Sequence, residues 1–339
     1  MFRIFYAEKD ATLYEHKDTT NTGLDEILEI GKRLDTDGTT LKKSRSIVKF
    51  DMLEIKSALS KYSIDISSCK FILQLFTCEA KNLPAEYTID ANIGAQPFTN
   101  GTGYLSSDPI IKNGVAWATP AASWSLDSQQ GSNWISGSQN IRINNSSLYV
   151  TGSGTGGRSG GKTIDNNGFL LKLSDTDEAS SAEGTISFFS RNTHTIYVPK
   201  LIMLFDNSEY NSNLDQIDLD SYCIYSKTKP TYKDTEVTKI RIHARDKYPS
   251  KSATNLFPIQ TIKRLPETTY FAIKDSATDE YIIPYDDIYN KVSCDSTSNF
   301  IHIDMNSFMP ERYYQLEFKI KDGITEQYTD DQIYFKVVR

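Results

Sequence analysis

The sequence has no long hydrophobic run. Its most apolar stretch, residues 199–205 (Pro-Lys-Leu-Ile-Met-Leu-Phe), is far shorter than the roughly 20 residues a membrane-spanning helix requires, so no membrane partner is expected. The first ten residues hold Glu8 and Asp10 and no apolar core. No secretory signal is expected there, and folding is expected to begin in a cytoplasm. Cysteine is scarce: Cys69, Cys78, Cys223 and Cys294 are too widely spaced for a zinc or disulfide framework. Histidine is equally sparse. His16, His194, His243 and His302 form no His-Glu-x-x-His pair, and His194 is expected to be packed or hydrogen-bonded on a strand. An excess of positive charge is also missing. With 37 Lys and Arg against 44 Asp and Glu, the net charge is -7, and no duplex nucleic-acid footprint is expected.

What is present is aromatic and β-branched. Aromatic residues make up 12% of the chain, mostly 20 Tyr and 16 Phe, a content that argues against disorder. Apolar runs at 46–51, 70–76, 168–173 and 184–189 are short and bounded by Gly, Asn, Asp and Ser. Such runs predict the strands of a sandwich or barrel, and the lack of alternating long helices argues against a doubly wound sheet. Two short helices are candidates. Residues 24–30 read as a helix stopped by Gly31 or as a strand leading into a turn, and residues 57–62 as one or two helical turns.

The length of 339 residues suits two domains. The polar stretch 205–215 places the boundary, giving residues 1–208 as one β-sandwich and 209–339 as a smaller immunoglobulin-like β-sandwich. In the second, Tyr313, Gln315, Glu317, Lys319 and Lys321 alternate with Tyr314, Leu316, Phe318 and Ile320. Period-two alternation predicts one buried and one wet face.

Residues 94–167 are rich in Gly, Ser and Asn and hold Trp117, Trp124 and Trp134, which read as long loops at one end of the first sandwich. These tryptophans are the candidate interaction residues, although pinning the loops to the core is the plainer role. Residues 156–163 (Gly-Gly-Arg-Ser-Gly-Gly-Lys-Thr) match the phosphate-loop formula. A working phosphate loop must follow a buried strand and open a helix. Here Ile164-Asp165-Asn166-Asn167-Gly168 reads as a turn leading to a strand, so no nucleotide is expected. Asp35-Thr36-Asp37-Gly38 and Asp175-Thr176-Asp177-Glu178 space carboxylates as calcium ligands are spaced, but neither completes a twelve-residue loop. Ordinary Asp turns are expected, with no metal and no cofactor.

Several motifs in order carry a family resemblance: residues 43–51 (Lys-Ser-Arg-Ser-Ile-Val-Lys-Phe-Asp), Asn100-Gly101-Thr102-Gly103, Asn113-Gly114-Val115-Ala116-Trp117, and Phe188-Phe189-Ser190-Arg191-Asn192 leading to Pro199-Lys200-Leu201. Over residues 8–205 the chain resembles the DNRLRE-type β-sandwich domain family, which implies a jelly-roll-like β-sandwich for residues 1–208. Phe98 stands where that family usually carries Trp, and the literal six-residue signature is missing. Over nearly its whole length the chain is similar to virion structural proteins of large tailed bacteriophages. That likeness rests on residues 7–12, 20–26, 190–197 and 310–314.

The resemblance implies a non-enzymatic structural or adaptor protein of the neck, baseplate or fibre attachment, assembled in the host cytoplasm into the virion. Its partners would be other virion proteins, with many copies in a symmetric assembly. The alternative is a carbohydrate or cell-surface binding module, which would present an aromatic platform beside hydrogen-bonding groups. A third class, an enzyme, would need a concave site with converging perturbed groups.

Overall fold

The computed structural model describes residues 1–65, 68–94, 97–118, 134–135, 140–144, 147–151, 162–165, 167–226 and 228–339. The fold is all-β, built from mostly antiparallel sheets, and among the described residues the one α-helix longer than five residues is Met52–Tyr62. The chain divides into two compact units. The larger holds Phe5–Ser67 and Ile72–Leu201; the smaller holds Met1–Ile4, Ser68–Phe71 and Ile202–Arg339. The smaller unit thus takes its residues from three separate stretches of sequence, which a single cut cannot reproduce.

In the larger unit the strand Leu41–Phe50 is, among the described residues, the branch point of one ten-stranded sheet. Along one edge it pairs with Phe2–Tyr14, from Ala7 opposite Phe50 to Tyr14 opposite Ser44. Along the other edge its first half pairs with Ile27–Leu34, and its second half pairs with Phe169–Leu173. One branch continues from Ile27–Leu34 through Gly184–Phe189 to Thr77–Lys81, the other from Phe169–Leu173 through Ile89–Gly94 to Trp134–Ile135. Strand residues Ala11, Leu13, Ile47 and Leu170 form a buried core cluster with Phe98, Val115 and Trp117 from the connecting segments.

Gly31 does not end an element. It lies inside the strand Ile27–Leu34, where a side chain would meet the Gly184 carbonyl oxygen at 2.2 Å. The helix expected at 57–62 is longer, Met52–Tyr62. Asp51 caps it by accepting the Leu53 N–H at 2.8 Å, and Met52, Ile55 and Ala58 form its buried face.

The Gly-rich motifs of the larger unit are a backbone lock around buried Asn21. Its Nδ2 donates to the carbonyls of Asn100 (2.7 Å) and Val115 (2.9 Å), and its Oδ1 accepts the Gly103 N–H at 2.8 Å. A Cβ at Gly101, Gly103 or Gly114 would lie 2.5 Å or less from an Asn21 atom, so Asn100-Gly101-Thr102-Gly103 and Asn113-Gly114 are there for close approach.

In the smaller unit one sheet orders Tyr222–Ser226, Val237–Asp246, Asn299–Asp304 and Ser293–Cys294. The other orders Thr231–Lys233, Thr325–Val338, Arg312–Asp322, Thr269–Asp275 and Tyr281–Ile283. Ile240, Ile242, Phe300 and Ile301 from the first sheet are buried, as are Phe271, Leu316, Phe318 and Phe335 from the second. Near the start of its strand, the Tyr314 hydroxyl donates to the Met309 carbonyl at 2.9 Å, a corner found in immunoglobulin-like sandwiches.

The expected wet face of Arg312–Asp322 is open to solvent only at its ends, at Tyr313 and Lys321. Gln315, Glu317 and Lys319 are buried along with the apolar residues between them. Glu317 takes an ion pair from Lys274 at 2.9 Å and a hydrogen bond from the Tyr281 hydroxyl at 3.0 Å. Lys319 reaches Asp287 at 2.6 Å beside the Tyr270 and Tyr285 rings. The polar groups are tolerated there because each is paired.

Candidate functional site

Of the three candidate contact residues, Trp117 is a core residue. It is buried in the cluster above, with the Arg45 guanidinium 5.0 Å from its ring. Arg45 in turn binds Glu178 through both nitrogen arms, at 2.8 and 2.5 Å, and both side chains are buried. Trp134 contributes backbone to the strand Trp134–Ile135; its side chain, like all of Trp124, lies outside the described residues.

The other sequence motifs resolve locally. Residues 152–161 of the glycine-rich segment lie outside the described residues. Lys162 and Thr163 begin the strand Lys162–Asp165, paired with Ser147–Thr151, so Ile164 and Asp165 extend a strand where a turn was expected. Asp37 accepts the N–H groups of Thr39 and Thr40, each at 2.8 Å, in a turn between two strands. Asp177 accepts from Thr88 N–H and from the Ser174 hydroxyl at a helix start. Among the described residues no three His, Cys, Asp or Glu side chains gather as a metal site. His194 lies in an irregular segment rather than on a strand, largely exposed, 3.5 Å from Glu26.

Two other features stand out, and neither was singled out from sequence. The first is an open cleft of about 590 Å³ in the larger unit. Tyr14 and Lys17 line one part, Asp25, Glu26, Ile27 and Glu29 another, and Glu79, Tyr104 and Ser187 also contribute. Asp25 is held by the Leu105 N–H, at 3.2 and 3.3 Å from its two oxygens. Burial raises its carboxyl to about 6, against the pull of that hydrogen bond and of the Lys17 charge. Arg33 neutralises Glu29 and lies over the Tyr14 ring. Glu26 and Glu79 keep more than half their side-chain surface exposed, and Ile27 and Tyr104 are exposed beside them. The cleft is therefore acidic with apolar and aromatic walls. Its residues come from separate segments, and only the close spacing of Asp25, Glu26 and Glu29 hints at it in sequence.

The second feature is a loop of the smaller unit, residues 247–262, after the strand Val237–Asp246. Tyr248, Leu256, Phe257 and Ile259 are 78, 64, 71 and 59% exposed. The loop is nevertheless well pinned. The Ser252 N–H donates to the Asn255 carbonyl and the Ser252 hydroxyl accepts the Asn255 N–H, Asn255 Nδ2 donates to Thr261 Oγ1 at 3.0 Å, and a 3-10 turn spans Pro258–Gln260. Residues 247–266 hold Lys247, Lys251, Lys263 and Arg264 and no Asp or Glu. Lys263 is paired with Asp246 and Arg264 with the Tyr210 hydroxyl, whereas Lys251 makes no ion pair among the described residues. The sequence signal is Leu-Phe-Pro-Ile embedded in turn chemistry, apolar residues where polar ones are the rule.

No protein-family model matches the chain, and neither a curated protein nor a solved structure matches it.

Proposed function

We propose that this chain is a non-enzymatic structural or adaptor subunit acting by protein–protein packing in a multi-copy assembly, and that the assembly is the virion of a tailed phage. The observation that carries the packing role is the pinned loop bearing Tyr248, Leu256, Phe257 and Ile259 in solvent. Exposing large apolar side chains is unfavourable for an isolated chain and marks an interaction site. Aromatic and aliphatic anchors of this kind supply most of the energy of a protein contact once a partner desolvates them. The virion setting rests on the sequence resemblance. The β-strand that follows Gly161 favours a reading without nucleotide.

The test is mass spectrometry of purified, nuclease-treated particles. The chain is expected in stoichiometric amounts in intact particles, and Phe257→Ser is expected to lower its incorporation. Abundance in infected cytoplasm together with absence from particles would overturn the assignment. A carbohydrate-binding reading finds support in Tyr104 beside the carboxylates of the cleft. Saturable binding to a glycan array, lost with Tyr104→Ala, would favour it.

A further inference from the structure

The loop at 247–262 is basic and apolar, and the cleft of the larger unit is acidic with apolar walls. We infer that the loop of one copy seats in the cleft of a second copy, so that the chain self-associates head to tail. The inference rests on the packing role proposed above and names its partner.

Three observations support this occupant. The exposed side chains stand on a loop rather than a flat face, so they suit a concave receptor, and the cleft of about 590 Å³ falls in the range of pockets that enclose small groups of side chains. The charges are complementary. Lys251 makes no ion pair among the described residues, and Asp246, the acid that precedes Lys247, is paired with Lys263. Glu26 and Glu79 rim the cleft with more than half of their side-chain surface in water, beside exposed His194 and Lys81 respectively. Like charge also argues against the loop meeting its own copy across a two-fold axis, because two basic loops would repel. Finally, the internal hydrogen bonds of the loop fix it before contact, which lowers the ordering entropy lost on docking. Such a contact joins two different patches, so each copy keeps one loop and one cleft free for further copies.

Sedimentation velocity of the full chain over a range of concentration and salt tests the contact. The parent chain is expected to form concentration-dependent oligomers that weaken as salt screens the lysines and carboxylates. Two variants disable one partner surface each: Leu256→Ser with Phe257→Ser, and Glu26→Lys with Glu79→Lys. The altered side chains are exposed, so circular dichroism is expected to be unchanged for both. Each variant alone is expected to self-associate at least about tenfold more weakly than the parent, the loss expected when one anchor is removed. Mixed, they are expected to form a one-to-one pair and stop, because the mixture holds one intact loop and one intact cleft per pair. A parent chain that stays monomeric at every concentration, or a mixture that stays monomeric, would overturn the inference. So would a parent chain that remains monomeric yet sediments with anionic lipid vesicles through the loop. None of these results touches the presence of the chain in particles, so the packing reading stands or falls separately.

Discussion

At the scale of single residues, the larger unit places charge in its core, and each charged group carries a measurable consequence. Arg45 and Glu178 are buried together, bidentate, under the Trp117 ring. Removing one partner leaves a buried charge, so Arg45→Met is expected to cost about 3–5 kcal/mol, while Arg45→Met with Glu178→Leu recovers most of that loss. Urea denaturation of the two variants measures both. Trp117→Ala is expected to destabilise by about 3–5 kcal/mol, as a large-to-small core change does, rather than to leave the fold intact and weaken contacts. Asp10 behaves differently. It is fully buried, it accepts the Arg191 N–H at 2.6 Å, and its Oδ1 has no partner. Desolvation raises its carboxyl from 3.8 to about 7, against the pull of the Arg191 hydrogen bond and charge. The folded state therefore holds this proton more tightly than the unfolded chain. The contribution of this group to stability is fully present below about pH 4, falls as pH rises, and is lost above about pH 7, by an amount on the order of a few kcal/mol. It is opposite in sign to that of carboxyls held low, against burial, by ion pairs and hydrogen bonds, such as Asp275 and Asp287. Asp10→Asn is expected to flatten that slope, with the half-buried Asp25 leaving a smaller residual in the same direction. Denaturation midpoints measured across that pH range decide it. A slope unchanged by Asp10→Asn would refute the assignment.

At the scale of elements, the helix Met52–Tyr62 depends on its cap. Asp51→Ala is expected to cost about 1 kcal/mol and Asp51→Asn almost nothing, since either oxygen of the native carboxylate or the amide oxygen can accept the Leu53 N–H. Melting temperatures of the two variants check this. The same element shows where sequence reading works and where it stops. The strands at Phe169–Leu173 and Gly184–Phe189 were legible because short runs of aromatic and aliphatic residues lie between Gly, Asn and Ser. The first turns of the helix were hidden because Met52, Leu53 and Ile55 follow an apolar strand with no break, and Asp51 reads equally as the end of that strand. Alternation in Arg312–Asp322 correctly marked Tyr314, Leu316, Phe318 and Ile320 as core. It said nothing of the segment around Tyr285 and Asp287 that pairs with the polar face, because that cover is non-local. The cleft was illegible for the same reason: Tyr14, Asp25, Glu79 and Tyr104 are far apart in sequence. The loop, by contrast, was legible in principle, since Leu256-Phe257-Pro258-Ile259 breaks the rule that turns are polar.

At the scale of the whole molecule, the smaller unit is completed by residues from the far end of the sequence. Phe2 packs against Phe271, with ring centroids 6.4 Å apart, and edge-on against Phe308 at 5.7 Å. Arg3 pairs with buried Asp304 at 3.2 Å, and the Ile4 N–H donates to the Ser307 hydroxyl at 3.3 Å. A fragment cut at residue 209 would keep both sheets of the smaller unit and still lose these contacts. Phe2→Ala in the full chain isolates the effect, because Phe2 is fully buried and its loss leaves a cavity beside Phe271 and Phe308. The expected cost is about 3–5 kcal/mol, charged to the smaller unit. Trp117 is buried in the core of the larger unit and the smaller unit holds no tryptophan, so the fluorescence change on exposing Trp117 reports the larger unit, whereas far-ultraviolet circular dichroism reports both. In the Phe2→Ala variant the fluorescence midpoint is expected to stay near that of the parent, while circular dichroism gains a separate, earlier transition. If the two probes shift together by the same amount, the units do not unfold as separate bodies. If neither shifts, Phe2 does not complete the core of the smaller unit.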